Sequence, residues 1–452
     1  MNAQTQRRRG KMNNAFDAAS ADRLDADTRE LLQRRSRWLG PAYRLFYKHP
    51  LTVSRARDVF LYDPQGNEYL DAYNNVVSVG HAHPKIVAAI HQQMQTLCTH
   101  TRYLQEGILS YAEDLLSTFS GAIGSTGHLM LTCTGSEAND LALRIARYHT
   151  GRRGVIVTAE AYHGNSSVVA GISPSLGESS PLGTWVRCVP APDPYRIEAR
   201  NLGRWLADRV AQQIKDLERH GDGLAAFVVD SIFSSDGIYA QPKDVLAPVA
   251  EVVRAAGGLF IADEVQCGFM RTGEAIWGHQ RHGIDPDIVS MGKPMGNGFP
   301  VAGIAVVPRV VEEFGNDVRY FNTFGGNTVA VAAAQATLNV LREEKLLENA
   351  HTVGRVLING LRRLAADHPR IGDVRGAGLF VGVEMVKDRD SKEPDTAAAS
   401  AIVNGLRDRR VLVSTTGPYS NILKIRPPLT FSSAHADRLL TELESTLKAE
   451  GL

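Results

Sequence analysis

Cysteine is scarce in this chain of 452 residues. Cys98, Cys133, Cys188 and Cys267 have neither CxxC nor metal-ligand spacing, which argues against a disulfide framework and a metal centre and leads us to expect a reducing cytoplasm. An excess of charge is lacking too: 50 basic residues face 49 acidic ones, a net +1, so no global field draws nucleic acid or an anionic membrane. No apolar run approaches the roughly 20 residues that span a bilayer, and the first residues have no signal-peptide core, so neither insertion nor export is expected. Internal repeats and low-complexity tracts are absent. What is present is a 43% hydrophobic content, over a length that accommodates one large and one small domain.

The pattern along the chain divides it. Residues 1–20, with the basic run Arg7 to Lys11, read as a disordered, solvated tail rather than a nucleic-acid patch. Ala21 to Trp38 reads as a charged helix ending at Gly40-Pro41, and Leu61–Asp71 as two strands joined through Pro64 and Gly66. Residues 80–328 alternate between apolar helices, such as Ile86–Gln95 and Glu137–His149, and short apolar runs at Val155–Thr158, Ala226–Asp230, Leu259–Ala262 and Ile304–Val307. That alternation predicts an α/β domain with a mainly parallel sheet flanked by helices. Ser173–Gly183 reads as a surface loop. Residues 329–452 hold a long helix and strands at Leu379–Glu384, Val411–Val413 and Leu423–Ile425, a smaller α+β domain against which residues 21–79 are expected to pack.

Two apolar runs thirty residues apart end in chemistry: Asp263 closes Phe260-Ile-Ala-Asp263, and Lys293 follows Asp287-Ile-Val-Ser-Met-Gly. A lysine that forms a Schiff base with an aldehyde, and an aspartate that keeps a pyridine nitrogen protonated, are the parts that a pyridoxal phosphate (PLP) site needs. Thr134 and Glu137 have the spacing of a capping box, which leaves the Gly135 and Ser136 amides at an open helix start suited to phosphate.

Gly135-Ser-Glu-Ala-Asn139, Ala161-Tyr-His-Gly164, Asp263-Glu-Val-Gln266 continuing to Gly273, Gly292-Lys-Pro-x-Gly-Asn-Gly298 and Asn322-Thr-Phe-Gly-Gly-Asn327 closely resemble the class III aminotransferases. That resemblance covers nearly everything from residue 40 to 430 and implies PLP-dependent transferase fold type I. It further implies that Lys293 holds the cofactor and moves protons, and that Asp263 pairs with the ring nitrogen. Gln266 would lie near the ring's 3-oxygen, Tyr162 would stack on the ring, and Gly135 and Ser136 would hold the phosphate. Thr323 would reach the phosphate of a neighbouring subunit's cofactor, which makes a homodimer with shared sites the expected assembly. His163 reads equally as support for the stacking ring or as a satisfied core histidine; Asp230 matches an acidic position near the cofactor or a plain strand end.

The chain departs from many relatives where a switch for 2-oxo acids is expected. Ser235 stands where a glutamate is common, and Lys424, before Pro427-Pro428, where an arginine is; a lysine is a point charge and not a two-pronged carboxylate grip. With Asn74-Asn75-Val76 and Val189-Pro-Ala-Pro-Asp193, these departures resemble the subgroup of ethanolamine-phosphate phospho-lyase and its transaminase relatives. The leading expectation is therefore transfer of an amino group from an amine, diamino acid or amino acid to a 2-oxo acid; the alternative is elimination of phosphate and ammonia from a phosphoethanolamine-like amine or action on a related aminophosphonate. Asn75, Arg102, Lys424 and Arg426 are the candidates for substrate contact. A regulatory module fused to a DNA-binding domain is not expected, with about 40 residues ahead of the matched region.

Overall fold

The computed structural model describes residues 15–74 and 76–452. Most of the expected tail, and Asn75, lie outside the described residues. The tail expectation also reaches too far: Ala15 bridges to Phe46, the Phe16 amide donates to the Leu45 carbonyl, and Ala18–Arg23 form a 3-10 helix. The single helix expected from Ala21 is two, because Asp25 takes the Thr28 amide and starts Ala26–Leu39 afresh.

Near the amino terminus, β1 (Arg55–Arg57), β2 (Phe60–Tyr62) and β3 (Glu68–Asp71) form an antiparallel meander. The large sheet comprises β4 (His128–Thr132), β5 (Gly154–Thr158), β6 (Val186–Val189), β7 (Leu224–Asp230), β8 (Leu259–Asp263), β9 (Ile288–Met291) and β10 (Ala302–Val306). Its order is β4-β10-β9-β8-β7-β5-β6, parallel except for β10, which runs against both neighbours. Strands β5, β8, β9 and β10 are buried throughout, as continuous apolar runs covered on two faces must be. The register sets Asp230, Asp263 and Ser290 side by side at the carboxyl edge, where open α/β sheets place ligands.

Beyond the helices Thr328–Glu343 and Leu346–Asp367 come β11 (Ile371–Ala377), β12 (Phe380–Met385), β13 (Val411–Leu412), β14 (Ser414–Thr416) and β15 (Ile422–Ile425). Four of them form the sheet β11-β12-β15-β14, whereas β13 joins β3 in parallel and so ties the amino-terminal meander to this end of the chain. The Ile371–Ala377 strand was not legible in the sequence, because its glycines and charges break the apolar alternation. Below the large sheet, fully buried Trp277 stacks on Phe119 at 4.4 Å and its indole N–H donates to Thr118 Oγ1 at 2.9 Å, so the largest core side chain leaves no polar atom stranded. Among the described residues no helix is long and apolar enough to cross a membrane, and no cluster of His, Cys, Asp and Glu could hold a metal.

Candidate active site

Asp263 ends β8 almost fully buried, and three donors fix its carboxylate. Val265 N reaches Oδ1 at 3.1 Å, while Asn139 Nδ2 at 2.9 Å and His163 Nδ1 at 2.7 Å both meet Oδ2. Three donors hold the carboxylate in one orientation. His163 is a buried histidine whose Nδ1 is bonded to Asp263. The histidine is held in turn by Ser173, whose Oγ accepts from the His163 amide at 3.0 Å and donates to the Val169 carbonyl at 2.8 Å. Ser173 is fully buried, so the loop expected on the surface begins inside the molecule.

Lys293 follows β9 at the head of a 3-10 turn, Lys293–Gly296, with φ of +21°, a region that L residues seldom occupy. Burial, and then the nearby Arg426 charge, pull its amine down to about 8, against the partial support of Asp263 and Asp230. It forms no salt bridge among the described residues. A lysine held near neutrality beside a fixed carboxylate suits covalent capture of an aldehyde and subsequent proton transfer.

The helix Gly135–Thr150 starts as the capping box requires: Thr134 Oγ1 accepts from Glu137 N at 3.2 Å, and Glu137 Oε2 accepts from Thr134 N at 3.1 Å and Cys133 N at 2.7 Å. Glycine at 135 has a packing reason as well as a ligand one, because a β-carbon there would lie 3.0 Å from a Val265 methyl. Gly164, at φ +140°, would drive a β-carbon to 2.4 Å from Ser136 Oγ, so the backbone on that side closes onto the helix start. Ser136 Oγ meanwhile takes the Asn165 amide at 3.1 Å. Tyr162 is 38% exposed, and burial, then the Asp263 charge, raises its hydroxyl pKa.

The cations gather from the other side. Lys424 and Arg426 are 7% exposed, and neither forms a salt bridge among the described residues. Both donate to Gln266 Oε1, Lys424 at 3.4 Å and Arg426 more closely, and Arg426 Nε also donates to the Tyr73 carbonyl at 3.0 Å. The rings of Tyr73 and Phe380 lie 4.7 and 5.8 Å from the guanidinium. Burial, then the Arg426 charge, hold the Lys424 amine well below the usual lysine range. Arg271, buried against the Leu379 and Pro427 carbonyls, is brought down to about 9 by burial and Arg426. Asp230 is raised by burial and accepts from Ser234 Oγ and Ile232 N, so it balances these charges through space. Arg375 is a structural ion, paired with Asp373 and Glu384 at 2.8 and 2.7 Å.

Arg102 and Thr323 lie apart from this cluster. Arg102 is exposed and sits 3.8 Å over the Phe321 ring, on the segment that carries exposed Thr323. The sequence reading assigned no role to Asn139, Ser173, Tyr73 or Phe380. Asn139 alone left a signal, as an amide on the inward face of an otherwise apolar helix.

An open helix start, a lysine near neutrality and a fixed buried aspartate at one sheet edge fit PLP. Comparison with known proteins agrees. The aminotransferase class-III model matches residues 45–447. Ethanolamine-phosphate phospho-lyase homolog 1 of Caenorhabditis elegans is 39% identical over 97% of this chain and 97% of its own. Human mitochondrial alanine–glyoxylate aminotransferase 2 is 32% identical over 90% of this chain and 84% of its own. A phospholyase from Arthrobacter, solved in complex with phosphoethanolamine, superposes with a TM-score of 0.89 at 43% identity, covering 93% of this chain and 99% of that one. The chain thus belongs to the class III aminotransferase family, PLP-dependent enzymes of fold type I.

Proposed function

We propose that this enzyme eliminates phosphate from a phosphorylated primary amine of the phosphoethanolamine type and releases ammonia. The observation that carries this is the pair of buried cations, Lys424 and Arg426, with no acidic side chain bonded to them among the described residues. Burial and mutual repulsion disfavour charging both groups until an anion joins them, and a phosphoryl dianion is the charge that lets Lys424 hold its proton beside Arg426. A monoanionic 2-oxo acid leaves that balance short, and the usual carboxylate fork is missing. The Caenorhabditis and Arthrobacter relatives, a phospho-lyase homolog and a phospholyase, support the same reading, and we therefore put elimination ahead of the amino transfer that leads from sequence alone.

PLP, when bound, supplies an electrophilic aldehyde and an electron sink. Lys293 would hold it and carry the proton at the substrate carbon; Asp263, fixed by Asn139 and His163, would pair with the ring nitrogen. Gly135 and Ser136 present amides to the cofactor phosphate, and Tyr162 covers the ring. Lys424 and Arg426 orient the substrate phosphate, and Gln266 links them to the cofactor side. Thr323, in this reading, completes the site of a second copy in a homodimer.

The test is to incubate the purified enzyme with phosphoethanolamine, assaying phosphate and ammonia while following the cofactor absorption. Equal release of the two, with the starting spectrum regained, is expected. Conversion of the cofactor to its aminated form, with neither product released, would reassign the enzyme to transamination.

A further inference from the structure

We infer that Lys424 is the acid that protonates the departing phosphate, while Arg426 is the fixed cation that holds it; this rests on the elimination reading above. Residues 424 and 426 are two apart at the end of β15, so their side chains leave the chain on one face, and both reach Gln266. Their fastening differs. Arg426 is locked by the Tyr73 carbonyl, Gln266 and two aromatic rings. Lys424 has one long contact, 3.4 Å to Gln266 Oε1, with the Phe380 ring centre 5.5 Å away. Asp230, the nearby acid, has its oxygens engaged by Ser234 and Ile232. Chemistry then divides the roles, because a guanidinium does not give up a proton in a protein and a buried amine does. Burial among Arg426 and Lys293 weakens the hold of Lys424 on its proton until a phosphoryl group arrives to restore it.

Elimination needs such a donor. Lys293 accepts the Cα proton, the C–H electron pair becomes the Cα–Cβ double bond, and the Cβ–O bond breaks with its pair on oxygen. From a phosphate dianion ester this would expel a trianion, a strongly basic leaving group. A proton from the Lys424 ammonium makes the product hydrogen phosphate, and the neutral Lys424 is recharged from solvent. The enamine product adds water to give an aldehyde and ammonia, with no net oxidation or reduction.

The experiment compares phosphoethanolamine with ethanolamine O-sulfate, whose leaving sulfate needs no proton, on the holoenzyme and on Lys424→Arg and Lys424→Met. Lys424→Arg keeps the charge but cannot donate. We expect its kcat on the phosphate ester to fall about 100-fold and the phosphate-to-sulfate ratio of rates to fall about 30-fold or more. Calorimetric affinity for 3-aminopropylphosphonate, which cannot eliminate, should stay within about threefold in Lys424→Arg and weaken in Lys424→Met. In the wild type, a solvent deuterium effect on kcat of about twofold is expected for the phosphate ester beyond that for the sulfate ester. Equal losses on both esters, an unimpaired Lys424→Arg enzyme, or equal isotope effects would overturn the role of Lys424. Failure of the wild type to release phosphate from phosphoethanolamine would instead remove the elimination reading itself.

Discussion

Lys293 and Asp263 follow from adjacent strands, the lysine after β9 and the aspartate at the end of β8. The lysine, taken from its ordinary 10.5 to about 8 by burial, is half neutral under mildly alkaline conditions, so cofactor loading of the stripped enzyme should speed up as pH rises through about 8 and level off above it. The sign for stability follows: between about 8 and 10.5 the unfolded chain binds a proton that the folded one does not, so this residue's penalty is full below that window and is relieved as pH rises through it. Lys293→Ala should lose borohydride fixation of the cofactor and about 1,000-fold or more in rate. A reduced adduct mapped to another lysine would displace this assignment. Asp263→Asn should lower kcat about 100-fold or more while cofactor retention changes little, because the phosphate contacts are made elsewhere.

At the scale of elements, the end of β15 brings Lys424 and Arg426 to Gln266, while β7 ends in Asp230 and the turn after it carries a second acid, Asp236. Arg426→Met should lower kcat/KM on the true substrate about 10-fold or more, the size of one lost charge-assisted hydrogen bond, and Lys424→Met, which loses the proton donor as well, about 100-fold or more, with the cofactor spectrum unchanged. Wild-type kinetics in both would make the pair structural. In the turn, Asp236 accepts from Thr158 Oγ1 at 2.7 Å and Glu160 N at 3.0 Å, yet burial raises it to about 7. Its folded value exceeds the unfolded 3.8, so between about 4 and 7 the folded state holds the extra proton, and the residue's contribution to stability declines as pH rises through that window. The difference in Tm between Asp236→Asn and the wild type should accordingly shift in favour of the variant from pH 5 to pH 8. A difference that stays constant would mean that Asp236 is ionised throughout.

For the molecule as a whole, the segment bearing Thr323 carries apolar side chains at its surface: Phe324 is 70% exposed, and Phe321, also exposed, meets His100, on which exposed Tyr103 stacks. Such a patch marks an interaction surface, and a second copy of the chain is the partner we propose. Mixing Lys293→Ala and Thr323→Ala chains gives a sharp test. If Thr323 serves its partner's site, each mixed dimer has one intact site and one doubly defective site, so activity should exceed the sum of the parents. If each threonine serves its own site, no intact site forms and activity is at most additive.

The sequence by itself determined five of the seven strands of the large sheet, the capped helix start, the motifs that carry Lys293 and Asp263, and the family. These depend on apolar periodicity and on motifs spanning a few residues, which local sterics and hydrogen bonding enforce wherever the segment lies. Only the tertiary structure decided who holds whom. Asn139 and His163 meet Asp263 across 124 and 100 residues, and Gln266 meets Arg426 across 160. It also left Lys424 and Arg426 with no bonded acid among the described residues, a property of the packed neighbourhood that no spacing in the chain encodes. Sheet register and packing against other elements set those encounters, so the motifs that suggest a cofactor site could be read in advance, whereas the cations on which we base a phosphorylated substrate met Gln266 only when the segment after β8 and the end of β15 were brought together.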